Sequence, residues 1–220
     1  MHVRRISLVI ITCLVCTSAQ ANSCVISNDF DILKRSYDQI SYMCSRLVAN
    51  INPNPPNVQV LLTSKLNIPN AFAFYDRDQK MILVTDQLLK MHNYNATLLA
   101  FIFGHELGHL QLNHASKETF FSKIKDALKN GALAALKSDN SIFGTGLNVS
   151  IKGYEAKYSQ SHELAADKYS YDLLIKAGYS KQDALDALQI LKNNHDSPAW
   201  RSFFASHPEP QKRIESIQNQ

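Results

Sequence analysis

The chain has little of what marks a non-globular sequence. Seven Gly and seven Pro in 220 residues are too few for a collagen-like repeat or a low-complexity chain. A hydrophobic fraction of 45% argues against disorder. Charge of one sign is also scarce. Lys and Arg number 23 against 19 Asp and Glu, a formal net charge of +4. No basic block of the kind that grips a phosphate backbone is present, so no nucleic-acid partner is expected. Beyond the first 16 residues no apolar run approaches the roughly 20 needed to span a bilayer. There is no internal repeat and no composition break. The length suits one domain with a substantial core.

What is present begins with a targeting signal. Arg4 and Arg5 precede a nearly unbroken apolar run from Ile6 to Cys16, and Ala19-Gln20-Ala21 supplies a small-x-small cleavage pattern. These are the three parts of a secretory signal peptide over 1–21, leaving a single domain over 22–220. Export across the inner membrane, with a periplasmic destination and no transmembrane helix after cleavage, is the expectation. Of four cysteines, Cys13 and Cys16 leave with the signal. Cys24 and Cys44 remain as an even pair in an oxidising compartment, and a disulfide is expected between them. It would tie an otherwise loose N-terminus to the first helix, stabilising by roughly 3 kcal/mol.

Phe30, Leu33, Tyr37, Ile40, Cys44, Leu47, Val48 and Ile51 recur at three- and four-residue spacing, which predicts an amphipathic helix over about 29–50. The proline-rich stretch from Pro53 to Pro56 ends it. Val58 to Thr63, Ala71 to Tyr75 and Met81 to Thr85 read as strands, the last two joined by a hairpin turn at Asp76 to Gln79. Asn95 caps a strong helix running to about Ser116. A further helix is expected over Lys117 to Lys137, then a mobile loop over Asp139 to Tyr154. Helices follow at about 159–177 and 181–194, broken by Gly178, and a short one begins near Pro208. The fold class is α+β: mainly helical, with one small sheet.

The chemistry sits in His105-Glu106-Leu107-Gly108-His109. Four residues advance a helix by about 400°, so both imidazoles leave one face about 6 Å apart along the axis. That spacing lets both bind one zinc ion. Glu106 stands beside the open coordination site, where a carboxylate takes a proton from water. With eight His and six Glu in the chain, chance alone gives such a pattern in roughly 0.8% of shuffled sequences. Leu98, Leu99, Phe101, Ile102, Phe103, Leu107 and Leu110 make the helix apolar nearly all round. Two histidines and a glutamate buried there would be costly without partners.

A catalytic zinc needs a third protein ligand. His114, His162, Glu163, His195 and His207 are the candidates. Glu163 and Asp167 lie one helical turn apart on one face. Small Ala165 and Ala166 favour close approach to the zinc-binding helix. Glu163 would then ligate, while Asp167 holds a ligand histidine by its second ring nitrogen. His162 projects about 100° away and is expected to be exposed.

Taken in order, His105-Glu106-Leu107-Gly108-His109 with His114, Glu163-Leu164-Ala165-Ala166-Asp167, Ser206-His207-Pro208 and Arg213 resemble the HtpX and CAAX-prenyl-protease type of zinc metallopeptidase. Asn70-Ala71-Phe72-Ala73 matches that family's sheet region. The resemblance covers about Val58 to Ile217 and is nearest in layout to the small periplasmic members that act in envelope quality control. It implies a minimal gluzincin domain holding one Zn2+ on His105, His109 and Glu163, with Glu106 as general base. It implies that His207 faces the metal, either stabilising the oxyanion or occupying the open position in a self-inhibited state. Arg213 would orient the acidic groups behind the metal or the substrate.

The expected activity is hydrolysis of peptide bonds in unfolded or misassembled envelope proteins, outer-membrane proteins among them, with water activated by zinc and Glu106. Envelope assembly machinery is the expected partner. The substrate would lie extended along the sheet edge at Asn70, Ala71, Phe72 and Ala73. Phe72 and Phe74 are read first as buried core. The alternative is a latent peptidase scaffold that serves as a chaperone-like binding module.

Overall fold

The computed structural model describes residues 24–28, 34–51, 56–64, 66, 68–76, 78–115, 158–208 and 210–220. The signal segment, the helix expected over 117–137 and the loop expected over 139–154 lie outside them.

Four strands form one sheet in the order β1-β2-β4-β3, with β1 at Cys24–Asn28, β2 at Val58–Thr63, β3 at Ala71–Asp76 and β4 at Gln79–Thr85. β1 runs parallel to β2, with Cys24 opposite Val58, and β2 runs parallel to β4, with Val58 opposite Lys80. β3 is antiparallel to β4, and the Asp76–Gln79 pair closes the expected hairpin. No element is expected on the N-terminal stretch that the disulfide ties down. Residues 24–28 are a strand, because the parallel edge of β2 takes up their backbone groups. The Cys24–Cys44 disulfide is present and joins β1 to α1 (Lys34–Val48).

One face of the sheet carries Val60, Leu62, Ala73, Ile82 and Val84 into the main core, which also holds Ile40, Cys44 and Leu47 of α1. The period of two along β4 sends Met81 and Leu83 to the opposite face. Both are buried but stand outside that core cluster, as do Phe72 and Phe74 of β3. The core reading of the two phenylalanines thus holds for burial, on the second face.

Two helices follow the sheet. Thr85 caps α2 (Asp86–Met91) by accepting the Leu88 amide, a short element the sequence reading missed. Asn95 caps α3 (Ala96–Gln111) by accepting the Leu98 amide at 2.9 Å. Every residue from Leu98 to Leu110 is buried. The apolar ones stabilise by roughly 2 kcal/mol each, and that burial holds the helix at the centre. α3 stops at Gln111, short of the expected Ser116, because Asn113 turns into the left-handed region at φ 57°.

Beyond it come α4 (Gln160–Lys176), α5 (Lys181–Asn193), a 3-10 turn at Pro198–Trp200, α6 (Arg201–Ser206) and α7 (Pro210–Gln218). Gly178, at φ 85°, separates α4 from α5, and a Ser180–Asp183 capping box starts α5. α6 was not anticipated. Trp200 and Phe203 bury their rings edge to face, 5.3 Å apart, and so fold this short stretch onto the core. The last helix begins two residues after the expected Pro208. Among the described residues no helix is long and apolar enough to cross a membrane.

α3 and α4 touch almost backbone to backbone. A Cβ on Gly108 would lie 3.0 Å from both Cα and O of Ala166, and one on Gly104 would lie 2.6 Å from Ser170 Oγ. Ser170 Oγ in turn donates to the Phe101 carbonyl at 2.7 Å. Gly108→Ala gains about 1 kcal/mol of helix propensity but forces the helices apart. Overpacking of this kind costs about 1–3 kcal/mol. The variant is therefore expected to melt at or below the wild-type temperature and to bind metal more weakly, as α4 carries Glu163 away. A clear rise in melting temperature would contradict this packing.

Candidate metal centre

Four polar side chains meet in the apolar interior. His105 and His109 project from one face of α3. Glu163 comes from the first turn of α4, and His207 from the cap of α6. All four are buried, and each offers one ligand atom within 4.8 Å of the others.

The spacing is specific. His105 Nε2 lies 2.9 Å from His109 Nε2, 3.2 Å from His207 Nδ1 and 3.5 Å from Glu163 Oε2. Glu163 Oε1 lies 3.1 Å from His109 Nε2 and 3.4 Å from His207 Nδ1. Donors about 2.0–2.1 Å from the centre of a tetrahedron stand about 3.3–3.4 Å apart, and these separations, shared between the two Glu163 oxygens, are of that size. The donor chemistry agrees. Three imidazoles and a carboxylate crowded this way oppose lone pairs unless a proton or a cation sits among them. Glu163 Oε2 has no hydrogen bond among the described residues; Arg213 Nη1 and His105 Nε2 face it only at 3.5 Å, too long for a good hydrogen bond, so it keeps a lone pair to offer a cation.

Behind the donors lies a second layer. Asp167, one turn after Glu163, accepts from His105 Nδ1 at 2.8 Å. Arg213 of α7 clamps the same carboxylate, with Nε donating to Oδ2 at 2.6 Å and Nη2 to Oδ1 at 2.7 Å. This bidentate pair is the strong form of the interaction. Arg213 Nη1 also stands 3.5 Å from Glu163 Oε2. The main chain of Ala73 on β3 is near enough to Glu106 to favour its charge.

The groups tune one another. Burial opposes a charge on His105, but the Glu163 carboxylate, aided by Asp167, outweighs it and lifts the ring to about 9. Burial and then the His105 charge push His109 down to about 2. Burial opposes charge on Glu163 too, yet the His105 and His207 rings hold it well below the usual carboxylate range. Burial raises Glu106, partly offset by His207 and His105. Neither Glu106 oxygen has a hydrogen bond of good geometry among the described residues, although His207 Nε2 stands 3.3 Å from Oε1.

A pH dependence follows from the raised His105. Below about 9 that ring holds a proton which an entering cation must displace. Zinc binding at pH 7 is expected to release about one proton. Apparent affinity should rise about tenfold per pH unit until pH approaches 9. Calorimetry in buffers of different ionisation enthalpy measures the release, and none at pH 7 would contradict the assignment.

Of the candidate third ligands, Glu163 and His207 stand in the donor group and the rest do not. His195 is exposed beside Asp196. His162 is exposed, as expected, and stacks on His114 at 4.0 Å. His114 touches the group only through the far side of His109. Tyr158 lies flat on the His109 ring at 3.7 Å.

A buried His-Glu-x-x-His helix with a Glu on a second helix is the framework of a metallopeptidase, and the chain belongs to the family described as Peptidase family M48, whose model matches residues 35–220. It is a metalloprotease. It is 30% identical over 185 residues to metalloprotease YcaL of Escherichia coli (strain K12), covering 82% of this chain and 68% of that protein. It is 28% identical over 182 residues to metalloprotease LoiP of the same organism, covering 82% and 69%.

Proposed function

We propose that this metalloprotease is exported, holds one zinc ion on His105, His109 and Glu163, and cleaves peptide bonds in unfolded or misassembled envelope proteins. The observation that carries the metal assignment is the set of five donor separations between 2.9 and 3.5 Å. A zinc ion there would supply Lewis acidity, making a water acidic near neutral pH and polarising a peptide carbonyl. The protein's own groups do the rest. Glu106 takes the proton from the attacking water and passes it to the leaving nitrogen. Its burial-raised affinity for protons suits it to hold one between those steps. Asp167 fixes the His105 ring by accepting from Nδ1. Arg213 keeps Asp167 ionised and in place.

The substrate lies extended along β3, the last strand of the described sheet, whose Ala73 backbone adjoins Glu106. Main-chain pairing there recognises extended chain with little regard for side chains, which favours unfolded segments. Export and the envelope substrate class are supported by the signal-like N-terminus and the Cys24–Cys44 disulfide, a bond suited to an oxidising compartment.

The placement of His207 supports a second reading, a latent scaffold used mainly for binding. Its Nδ1 stands at the fourth vertex of the donor group, where a reacting water would have to enter. His207→Ala is expected to raise cleavage of unfolded casein severalfold while weakening zinc binding. A loss of cleavage with zinc binding unchanged would instead assign His207 to oxyanion stabilisation. The function itself is tested by elemental analysis and casein cleavage with and without a chelator. One equivalent of zinc and chelator-sensitive cleavage are expected. Cleavage indifferent to chelator would overturn the zinc reading. Full rescue of a deletion phenotype by an inactive Glu106 variant would favour the binding module.

A further inference from the structure

His114 lies just past α3, outside the donor group, yet it contacts one of its members edge to edge. Its Nδ1 stands 3.3 Å from His109 Nδ1. The other nitrogen of His109, Nε2, faces the donors, 2.9 Å from His105 Nε2 and 3.1 Å from Glu163 Oε1. A ring nitrogen that binds a cation must present its lone pair, so the one proton of a neutral His109 sits on Nδ1. Two imidazole nitrogens at this distance share one proton, which makes His114 Nδ1 the acceptor.

We infer that His114 is a positioning residue, accepting a hydrogen bond from His109 Nδ1 and thereby fixing the tautomer and orientation in which His109 Nε2 meets the metal. The inference rests on the metal reading above and concerns a residue outside its ligand set.

The local structure is built for this contact. The His114 amide donates to the His109 carbonyl at 2.8 Å, and the Ala115 amide approaches the same carbonyl at 3.3 Å. Returning the chain over His109 requires the left-handed turn at Asn113, φ 57°, a conformation that Asn tolerates better than most residues. The Tyr75 hydroxyl donates to the Leu110 carbonyl at 2.8 Å, with Asn113 Oδ1 3.3 Å away, and so ties the turn to β3. The His162 ring lies parallel to His114, 12° between planes at 4.0 Å. Parallel rings direct their in-plane lone pairs side by side, not toward one point. The His114–His162 pair is therefore a packing contact that holds His114 upright, not a second metal site. The opposite flank of His109 is covered by Tyr158 at 3.7 Å, 14° between planes.

Support for a ligand's outer nitrogen commonly comes from a carboxylate or a carbonyl, as Asp167 provides for His105. His114 does the same work for His109 without adding negative charge. The two ligand histidines are thus held by acceptors of different charge.

The test compares wild type, His114→Ala and His114→Asn by zinc competition against a chelator, with the unfolding temperature of each metal-free protein as control. Asn places its Oδ1 where the His Nδ1 stood. His114→Ala is expected to bind zinc about tenfold or more weakly at a nearly unchanged metal-free unfolding temperature, and His114→Asn to recover most of the loss. Equal binding by wild type and His114→Ala would overturn the inference, as would an equal loss in both variants. Wild type that takes up no zinc would instead overturn the metal reading itself. Nitrogen-15 NMR of the zinc-loaded wild type gives an answer independent of variant folding. It should show His109 protonated at Nδ1 and His114 unprotonated there, and the reverse assignment would overturn the inference.

Discussion

Glu106→Gln is expected to lower peptide hydrolysis by about 10²–10⁴-fold, the scale of a lost general base, while one equivalent of zinc stays bound. The substitution keeps shape and removes only basicity. Glu106 is buried and lies outside the donor group, so zinc has no reason to leave. Burial already disfavours its charge, so a neutral amide should leave the melting temperature unchanged or slightly higher. Loss of activity together with loss of zinc would show that Glu106 holds the metal. Retained activity would remove it from the mechanism.

Arg213→Met should have the largest effect on stability. Arg213 and Asp167 are both buried and joined by two hydrogen bonds. Removing the guanidinium leaves the two buried carboxylates of Asp167 and Glu163 with only the His105 charge between them. Breaking a buried pair in this way costs about 3–5 kcal/mol. The double variant Arg213→Met/Asp167→Asn should recover part of that loss, because it leaves no orphaned charge. The pH dependence has a definite sign. Burial alone would raise Asp167, but Arg213 and His105 hold it below its ordinary value. The stability it contributes is present above its unfolded value, about pH 4, and is lost as pH falls through its lower folded value. The gap in melting temperature between wild type and Arg213→Met should therefore be widest above about pH 5 and narrow in stronger acid. A gap that widened toward low pH would show that the pair is not the source.

Much of the site was legible because its signals are local. Helical spacing alone puts His105 and His109 on one face, and Glu163 and Asp167 on another. The continuous apolar run around the first motif announced a buried helix, and the structure buries it from Leu98 to Leu110. The cysteine pair was readable from its even number after the signal-like segment. The misses have physical reasons too. β1 has no pattern of its own and exists because β2 offers a parallel edge. α2 and α6 have six residues each, too short for a helical period to stand out, although Thr85 before Leu88 and Leu89 was a usable cap signal. The early end of α3 depends on one left-handed Asn whose turn is tied by a tyrosine from β3.

By itself the sequence determined the chemistry on offer: which side chains can hold a cation, which can carry a proton, and which helix faces present them. Whether those faces meet was decided by packing across 44 to 102 residues of chain. Gly108 against Ala166 lets α3 and α4 come close enough to bring Glu163 to the histidines. The fold of α6 turns His207 Nδ1 toward the donors and its Nε2 toward Glu106. The return of the chain at Asn113 gives His109 its acceptor. Distances of this kind arise from side chains excluding water and one another in three dimensions, a competition that a one-dimensional pattern does not record.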